Sequence, residues 1–347
     1  MMTADLHRRW LRLLAGLVML AAFWALPARH AEAAVTCSAT MTNLVFTDVD
    51  LVSGVNMTAS ATMNYTCTND QNSARVTRLC LNIGDGSASI ASGGGHWNPR
   101  ILRDPSNNEL NVQFYQGAGA TIWGSTTQPI PDAYDVIVNM PVRVNNNTPS
   151  VSTGSFTLRG VISTGQAAMP NGIYTSSFAG NHTALRYTTP GAANTTPGDC
   201  NSATTDGGTF AFTVTANVVK SCFVTADPMD FGTVDGLVSA ANIDAQTSIY
   251  VTCSRPTAYR VLLIPLNGSG TTTGSSVMKG LTYLESVPYQ LYQNAGRTTQ
   301  WGNQTNNTPT GTGTGASQTL TVYGRVQGLP NVRPDTYRDT VTVNVTY

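Results

Sequence analysis

Thr340-Val-Thr-Val-Asn-Val-Thr-Tyr347, at the end of the chain, sets Val341, Val343, Val345 and Tyr347 on one side and Thr340, Thr342, Asn344 and Thr346 on the other. A period of two with one apolar face reads as a half-buried β-strand. The same alternation recurs at Phe210-Ala-Phe-Thr-Val-Thr-Ala-Asn-Val218, where Phe210, Phe212, Val214, Ala216 and Val218 share a face. Between these stretches the texture is Thr, Ser, Asn, Gly and Val in short runs broken by turn signals, with no sustained helical periodicity. That pattern predicts an all-β fold of sandwich type.

The chain also repeats itself. Cys37 precedes Phe46 by nine residues, as Cys222 precedes Phe231; Tyr65-Thr-Cys67 then matches Val251-Thr-Cys253. Gln113-Phe-Tyr-Gln116 with Trp123-Gly124 matches Gln290-Leu-Tyr-Gln293 with Trp301-Gly302. Gly160 leading to Pro170-Asn-Gly-Ile-Tyr174 matches Gly324 leading to Pro334-Asp-Thr-Tyr337. Self-similarity in one order predicts one β-rich unit used twice. Thr188 to Gly208, rich in Thr, Pro, Gly and Asn, reads as the connection. The expected division is residues 1–33 as a secretory signal, 34–205 as the first domain and 206–347 as the second.

The signal reading rests on Arg8, Arg9 and Arg12, the uncharged run Leu13 to Leu26, and Ala31-Glu-Ala33 as a small-residue cleavage site. Residues 34–347 then carry 15 basic and 17 acidic side chains, a net charge of −2. All six cysteines lie in that part, and an even count in an oxidising compartment points to three disulfides. The repeat pairs Cys37 with Cys67 and Cys222 with Cys253 by analogy of position, leaving Cys80 and Cys200. Six cysteines admit many pairings, so sequence alone leaves the connectivity open.

Composition excludes several function classes. Charged residues make up 11% of the 347, and Lys220 and Lys279 are the only lysines, so the basic patch a nucleic-acid partner requires is missing. No Cys-x-x-Cys pair occurs, and only His96 and His182 lie beyond the signal, which argues against a metal or other cofactor. Gly311-Thr-Gly-Thr-Gly315 is not followed by Lys-Ser/Thr or a helix, so it reads as a loop connection and not a phosphate loop. The spacing of Asp227, Asp230 and Asp235 is not that of a helix-flanked calcium loop. With so thin an inventory of acids, bases and nucleophiles, no enzymatic activity is expected.

The second half is similar to a known family. Phe210 to Val218 before Cys222, Asp230-Phe-Gly232 after it, and Tyr337-Arg-Asp339-Thr-Val leading to Tyr347 resemble the spore coat U domain, which includes the pilins of archaic, Csu-type chaperone–usher pili. The first half resembles it more loosely: Gly84 to Asn108 has no close counterpart, and Tyr-x-Asp-x-Val is replaced by Tyr174-Thr-Ser-Ser-Phe178. The resemblance implies two immunoglobulin-like, pilin-type sandwiches in tandem, the C-terminal one lacking its last strand. A two-domain member resembles a fimbrial tip adhesin, exported through the periplasm to the surface of a Gram-negative bacterium and supporting attachment and biofilm formation. The implied partners are a periplasmic chaperone, an outer-membrane usher, the next pilin subunit and an abiotic or host surface. A sandwich short of one strand exposes an apolar groove and unpaired backbone groups, and a strand from elsewhere satisfies both. Val341, Val343, Val345 and Tyr347 would line that groove. Only Ala34, Val35 and Thr36 precede Cys37 after the expected cleavage, too few to donate a strand, which places the subunit at the free end of a fibre.

Phe210 to Val218 has two readings: it completes the first domain within the same chain, or it opens the second. Contact with a target falls to the first domain. Trp97 follows a triple glycine, Ile130, Pro131 and Tyr134 lie in a proline-rich turn, and Ala168 and Met169 precede Pro170; with Ile101 they form the candidate apolar contact set. Trp123, matched by Trp301, reads as core, whereas Trp97 suits core or contact. Alternative readings are a lectin-like tip, with Trp97 beside His96, Asn98, Asp104 and Asn107, and a minor structural pilin or coat component.

Overall fold

Alternating sequences pair into sheets because each strand can bury only one face. The computed structural model describes residues 35–347 apart from 128–129, 131, 235–240, 269–270 and 329–330. The expected signal, residues 1–33, lies outside the described residues, as does Pro131. The first unit contains β1 (Val35–Met41), β2 (Leu44–Val49), β3 (Met57–Asn69), β4 (Arg75–Ile83), a short helix α1 (Ser87–Ala91), β5 (Arg100–Arg103), β6 (Glu109–Gln116), β7 (Tyr134–Met140), β8 (Ser150–Ile162), β9 (Gly172–Phe178), β10 (Thr183–Thr188), β11 (Thr205–Asp206) and β12 (Phe212–Val218). One sheet runs β1-β3-β8-β6-β5-β9-β12-β2 and the facing sheet β11-β10-β4-β7. Their inner faces share a core that includes Phe46, Leu81, Phe114, Trp123, Phe178 and Phe212.

The second unit contains β13 (Cys222–Ala226), β14 (Ile243–Cys253), β15 (Ala258–Pro265), β16 (Ser275–Gly280), β17 (Ser286–Tyr292), β18 (Thr310–Thr312), β19 (Ser317–Val326), β20 (Tyr337–Arg338) and β21 (Val341–Thr346). Its sheets run β13-β14-β19-β17-β16-β20 and β18-β15-β21 around a separate core centred on Val251, Val261, Leu291 and Trp301. The protein is two β-sandwiches in tandem.

The repeat is structural in detail. Cys37–Cys67 and Cys222–Cys253 each clamp a first strand to the next across directly opposed positions. The Trp123 indole donates to the Leu81 carbonyl at 2.8 Å, and the Trp301 indole to Val261 at 3.0 Å. A Cβ on Gly160 would run into Leu44 and Phe46, and one on Gly324 into Met229 and Phe231, so both sequences keep glycine where an N-terminal segment crosses the sheet. Cys80 is bonded to Cys200, tying the connection between the units to β4.

The first unit's sheet extends past the division expected near residue 206. β12 pairs antiparallel with β9, Phe212 opposite Phe178 and Ala216 opposite Tyr174, and parallel with β2 on its other edge. Upstream of it, Thr205 and Asp206 pair with β10, the Gly207 N–H donates to the Leu185 carbonyl and the Leu185 N–H to the Gly208 carbonyl, both at 2.9 Å. Phe210, Phe212, Val214, Ala216 and Val218 are all buried in the first unit's core. The second unit's own strands begin at Cys222.

Candidate functional site

Matching the sheets strand by strand locates an open edge. β1, β3, β8, β6, β5 and β9 of the first unit correspond to β13, β14, β19, β17, β16 and β20 of the second, but β12 and β2 follow β9, whereas among the described residues nothing follows β20. Met229 and Phe231 already pack over Gly324 where Leu44 and Phe46 pack over Gly160. Residues 227–234 nevertheless form no strand among the described residues, whereas Leu44–Val49 forms β2 and pairs with β12.

The tryptophan hydrogen bonds fix the register of the facing sheets: Leu81 corresponds to Val261, so Leu185 on β10 corresponds to Val345 on β21, and Tyr187 to Tyr347. Leu185 is fully buried and Tyr187 is 5% exposed under the segment that runs from β11 into β12. Val341, Val343 and Val345 are only half-buried against the second core, and Tyr347 is 58% exposed. Among the described residues β21 pairs with β15 alone, so its other edge is a free sheet edge beside a partly open apolar row.

The units meet at a defined joint. Pro170 bridges Arg255, and the Asn171 N–H donates to the Arg255 carbonyl at 2.7 Å. The Ser221 hydroxyl donates to Asp50 at 2.8 Å. Gly315 sits so close to the Ala167 carbonyl that any side chain would collide. The glycine-rich run 311–315 thus serves close packing: Gly311 lies in β18, and Gly313 donates to the Thr257 carbonyl.

The structure places the apolar contact set in different surroundings. Ala168 and Met169 belong to the loop at the joint, and Met169 also packs on the first core. Ile101 is 2% exposed, because β5 is covered on both faces. Tyr134 begins β7 and stacks on Phe156 with centroids 4.2 Å apart, adjoining Trp123. Ile130 is half-buried, its carbonyl accepting from the Ser125 N–H at 2.8 Å. Trp97 is half-buried; its carbonyl and the Asn98 side chain both accept from Gln113.

Gln113 belongs to a buried hub. Arg100 donates to Gln113, Gly84, Ile83 and Trp123 at 2.6–3.0 Å and lies 4.9 Å over the Phe114 ring. Burial pushes its guanidinium down to about 9, with nearby Asp85 opposing the shift. The hub fixes the Gly84–Pro99 loop to the sandwich, and the polar groups of the lectin-like reading are spent locally, Asn98 on Gln113 and Asp104 on Asn108.

At the opposite end of the first unit three segments converge. β8 spans 13 residues, about 40 Å of strand, between the joint loop after Ile162 and the segment before Ser150. There Asn69 donates to the Pro141 carbonyl at 2.8 Å, Arg143 to Gln71 and Asn72, and Asn194 to Ala74. Val142 and Val144 project from this end, 49% and 71% exposed. The sequence reading missed them: they are single valines in a polar run, and their alternation across Pro141–Thr148 is the one signal available.

A family model described as the Spore Coat Protein U domain matches residues 23–180 and 208–344. The chain belongs to the spore coat protein U domain family. This spore coat protein U chain is similar in fold to the solved CsuC–CsuE chaperone–tip adhesion subunit pre-assembly complex from archaic chaperone–usher Csu pili of Acinetobacter baumannii. That likeness has a TM-score of 0.50 and 17% identity, over 90% of this chain and 100% of the other. The CupB6 tip adhesin from Pseudomonas aeruginosa aligns over 91% of this chain and 95% of its own at 9% identity and a TM-score of 0.30. No curated protein sequence matches the chain.

Proposed function

We propose that this chain is the tip adhesin of a chaperone–usher pilus, joined to its fibre by a strand from the next pilin that fills the open edge of the second unit. The carrying observation is the contrast between equivalent positions: Leu185 and Tyr187 are buried beneath an added strand, while Val345 and Tyr347 have none. β12 serves as the in-chain donor of the first unit, which therefore needs no partner, and the second unit retains a single acceptor groove. A periplasmic chaperone covers that groove before assembly, an outer-membrane usher exchanges it for the pilin, and the adhesin is displayed on the surface of a Gram-negative cell. The likeness in fold to a chaperone-bound tip adhesion subunit supports this placement. The test is to co-produce the full chain with a periplasmic chaperone and add a synthetic peptide of Phe210–Val218. Displacement of the chaperone and a rise in Tm are expected; a chaperone-free monomer that ignores the peptide overturns the reading.

The free end of the first unit then meets the target. Val142 and Val144 offer apolar contact of the kind that binds by burial and is indifferent to fine chemistry, as attachment to inert material and biofilm formation require. A Val142→Asp/Val144→Asp chain should fold normally and lose attachment to polystyrene. Unchanged attachment would move the contact elsewhere.

A further inference from the structure

We propose that the tip of the β16–β17 hairpin, Leu281, Tyr283 and Leu284, is a docking collar for the body of the pilin whose strand fills the groove. The proposal rests on the strand-acceptor reading above and adds a second contact to it.

The argument comes from the two units' register. Arg103 pairs with Thr175 at the end of β5, and Lys279 pairs with Arg338 at the end of β16, so the turns that follow are equivalent. Asn107 and Leu284 stand at the same place and both have left-handed backbone, with φ of 67° and 58°. The first turn, Asp104-Pro-Ser-Asn-Asn108, is polar apart from Pro105 and closed by Asp104 accepting from the Asn108 N–H at 2.7 Å. The second carries Leu281, Tyr283 and Leu284, all exposed, Leu284 by 75%. Asparagine tolerates left-handed backbone and leucine resists it, so an exposed leucine there is unfavourable twice over, in conformation and in hydration. The turn is nevertheless stiff. Thr282 and Tyr283 donate backbone N–H groups to Asp335, Arg333 lies 4.2 Å over the Tyr283 ring, and Glu285 accepts from Arg333 at 2.7 and 2.9 Å. An apolar surface on a rigid mount is what a preformed contact needs.

The first unit shows which way this end faces. The Tyr174 hydroxyl, bonded to the Pro170 carbonyl at 2.8 Å, feels both Asp104 of the first turn and Arg255 of the second unit. The end of the first unit that carries its turn is therefore the end seated on the second unit. β12 leaves by that same end, Val218 opposite Gly172, and runs straight into Cys222. The equivalent end of the second unit carries Leu281–Leu284 beside Thr336 and Tyr337. A strand filling the second groove in the same direction brings the body it belongs to against these residues.

The test separates strand from body. A photo-crosslinking residue is placed at Leu284 in the full chain, which is either assembled into fibres in producing cells or complemented with the Phe210–Val218 peptide alone. Crosslinks to the neighbouring pilin are expected in fibres and none to the peptide. A Leu281→Thr/Leu284→Asn chain should dissociate from fibres about tenfold faster in denaturant, since interface losses act mainly on the off-rate, and should keep the parent's peptide-complemented Tm. Absence of the crosslink, or unchanged dissociation, overturns the collar. Failure of the peptide to complement either chain would instead remove the reading beneath it.

Discussion

Replacing Phe212 by alanine tests whether β12 holds the first unit together. Phe212 is 3% exposed, stacked on Phe178 with centroids 4.9 Å apart and planes 11° apart, and tilted against Phe114 at 6.2 Å. Truncating a buried phenylalanine costs about 3–5 kcal/mol, the higher figures where the site cannot collapse. Here it cannot collapse easily, because the ring is clamped between two other aromatics on a central strand with neighbours on both edges. Set against a total of about 5–15 kcal/mol for a domain, the loss exposes a substantial fraction of first units to opening. Hydrogen exchange of the full chain gives the answer by location: amides of β9, β12 and β2 should lose protection while β14 and β19 keep theirs. Asn217→Ala, at an exposed position of the same strand, should change stability by less than about 0.5 kcal/mol. If Phe212→Ala instead deprotects β14 and β19 and spares β9, the strand belongs energetically to the second unit and the in-chain donor argument is wrong.

Removing Cys80–Cys200 as a double serine variant frees a 120-residue loop, and urea unfolding should show a loss of about 4–5 kcal/mol in the loop-entropy picture. Gly324→Val should push Met229 and Phe231 off the sheet, costing about 1–3 kcal/mol by overpacking and abolishing the peptide-induced rise in Tm. Burial pushes the Tyr174 phenol up to about 12, with Asp104 adding to the shift and Arg255 opposing it. The unfolded chain therefore loses this proton near its ordinary value while the folded chain still holds it. Stability should be flat up to about pH 10 and fall between about pH 10 and 12, and Tyr174→Phe should remove that component from a pH series of urea midpoints.

Much of the architecture was legible because local pattern and global role agree. Alternation named β12 and β21, and the cysteine, tryptophan and glycine spacings exposed the duplication, since each marks a place where two strands must touch in both units. What lies outside a single sequence is which strands become neighbours. Nothing in Phe210–Val218 says that its edges meet β9 and β2. Ile101 and Tyr134 read as loop apolars because prolines and glycines surround them, yet each enters a strand immediately, Ile101 buried and Tyr134 half-buried against the first core. Ala168 and Met169 were correctly read as loop, but the loop faces the other unit. Val142 and Val144 went unnoticed because a search for aromatic or proline-rich turns passes over isolated valines among asparagines.

The placement of β12 also dictates an order of events. Asn43 bonds the Thr213 N–H across 170 residues of chain, so the amino-terminal sandwich cannot close until nearly two-thirds of the polypeptide has been delivered. Contacts so remote in sequence form slowly, since the whole intervening chain must first be brought together. Until then the first body stays open while none of the second has been delivered, and whatever shields the nascent chain must protect that body before its own last strand arrives.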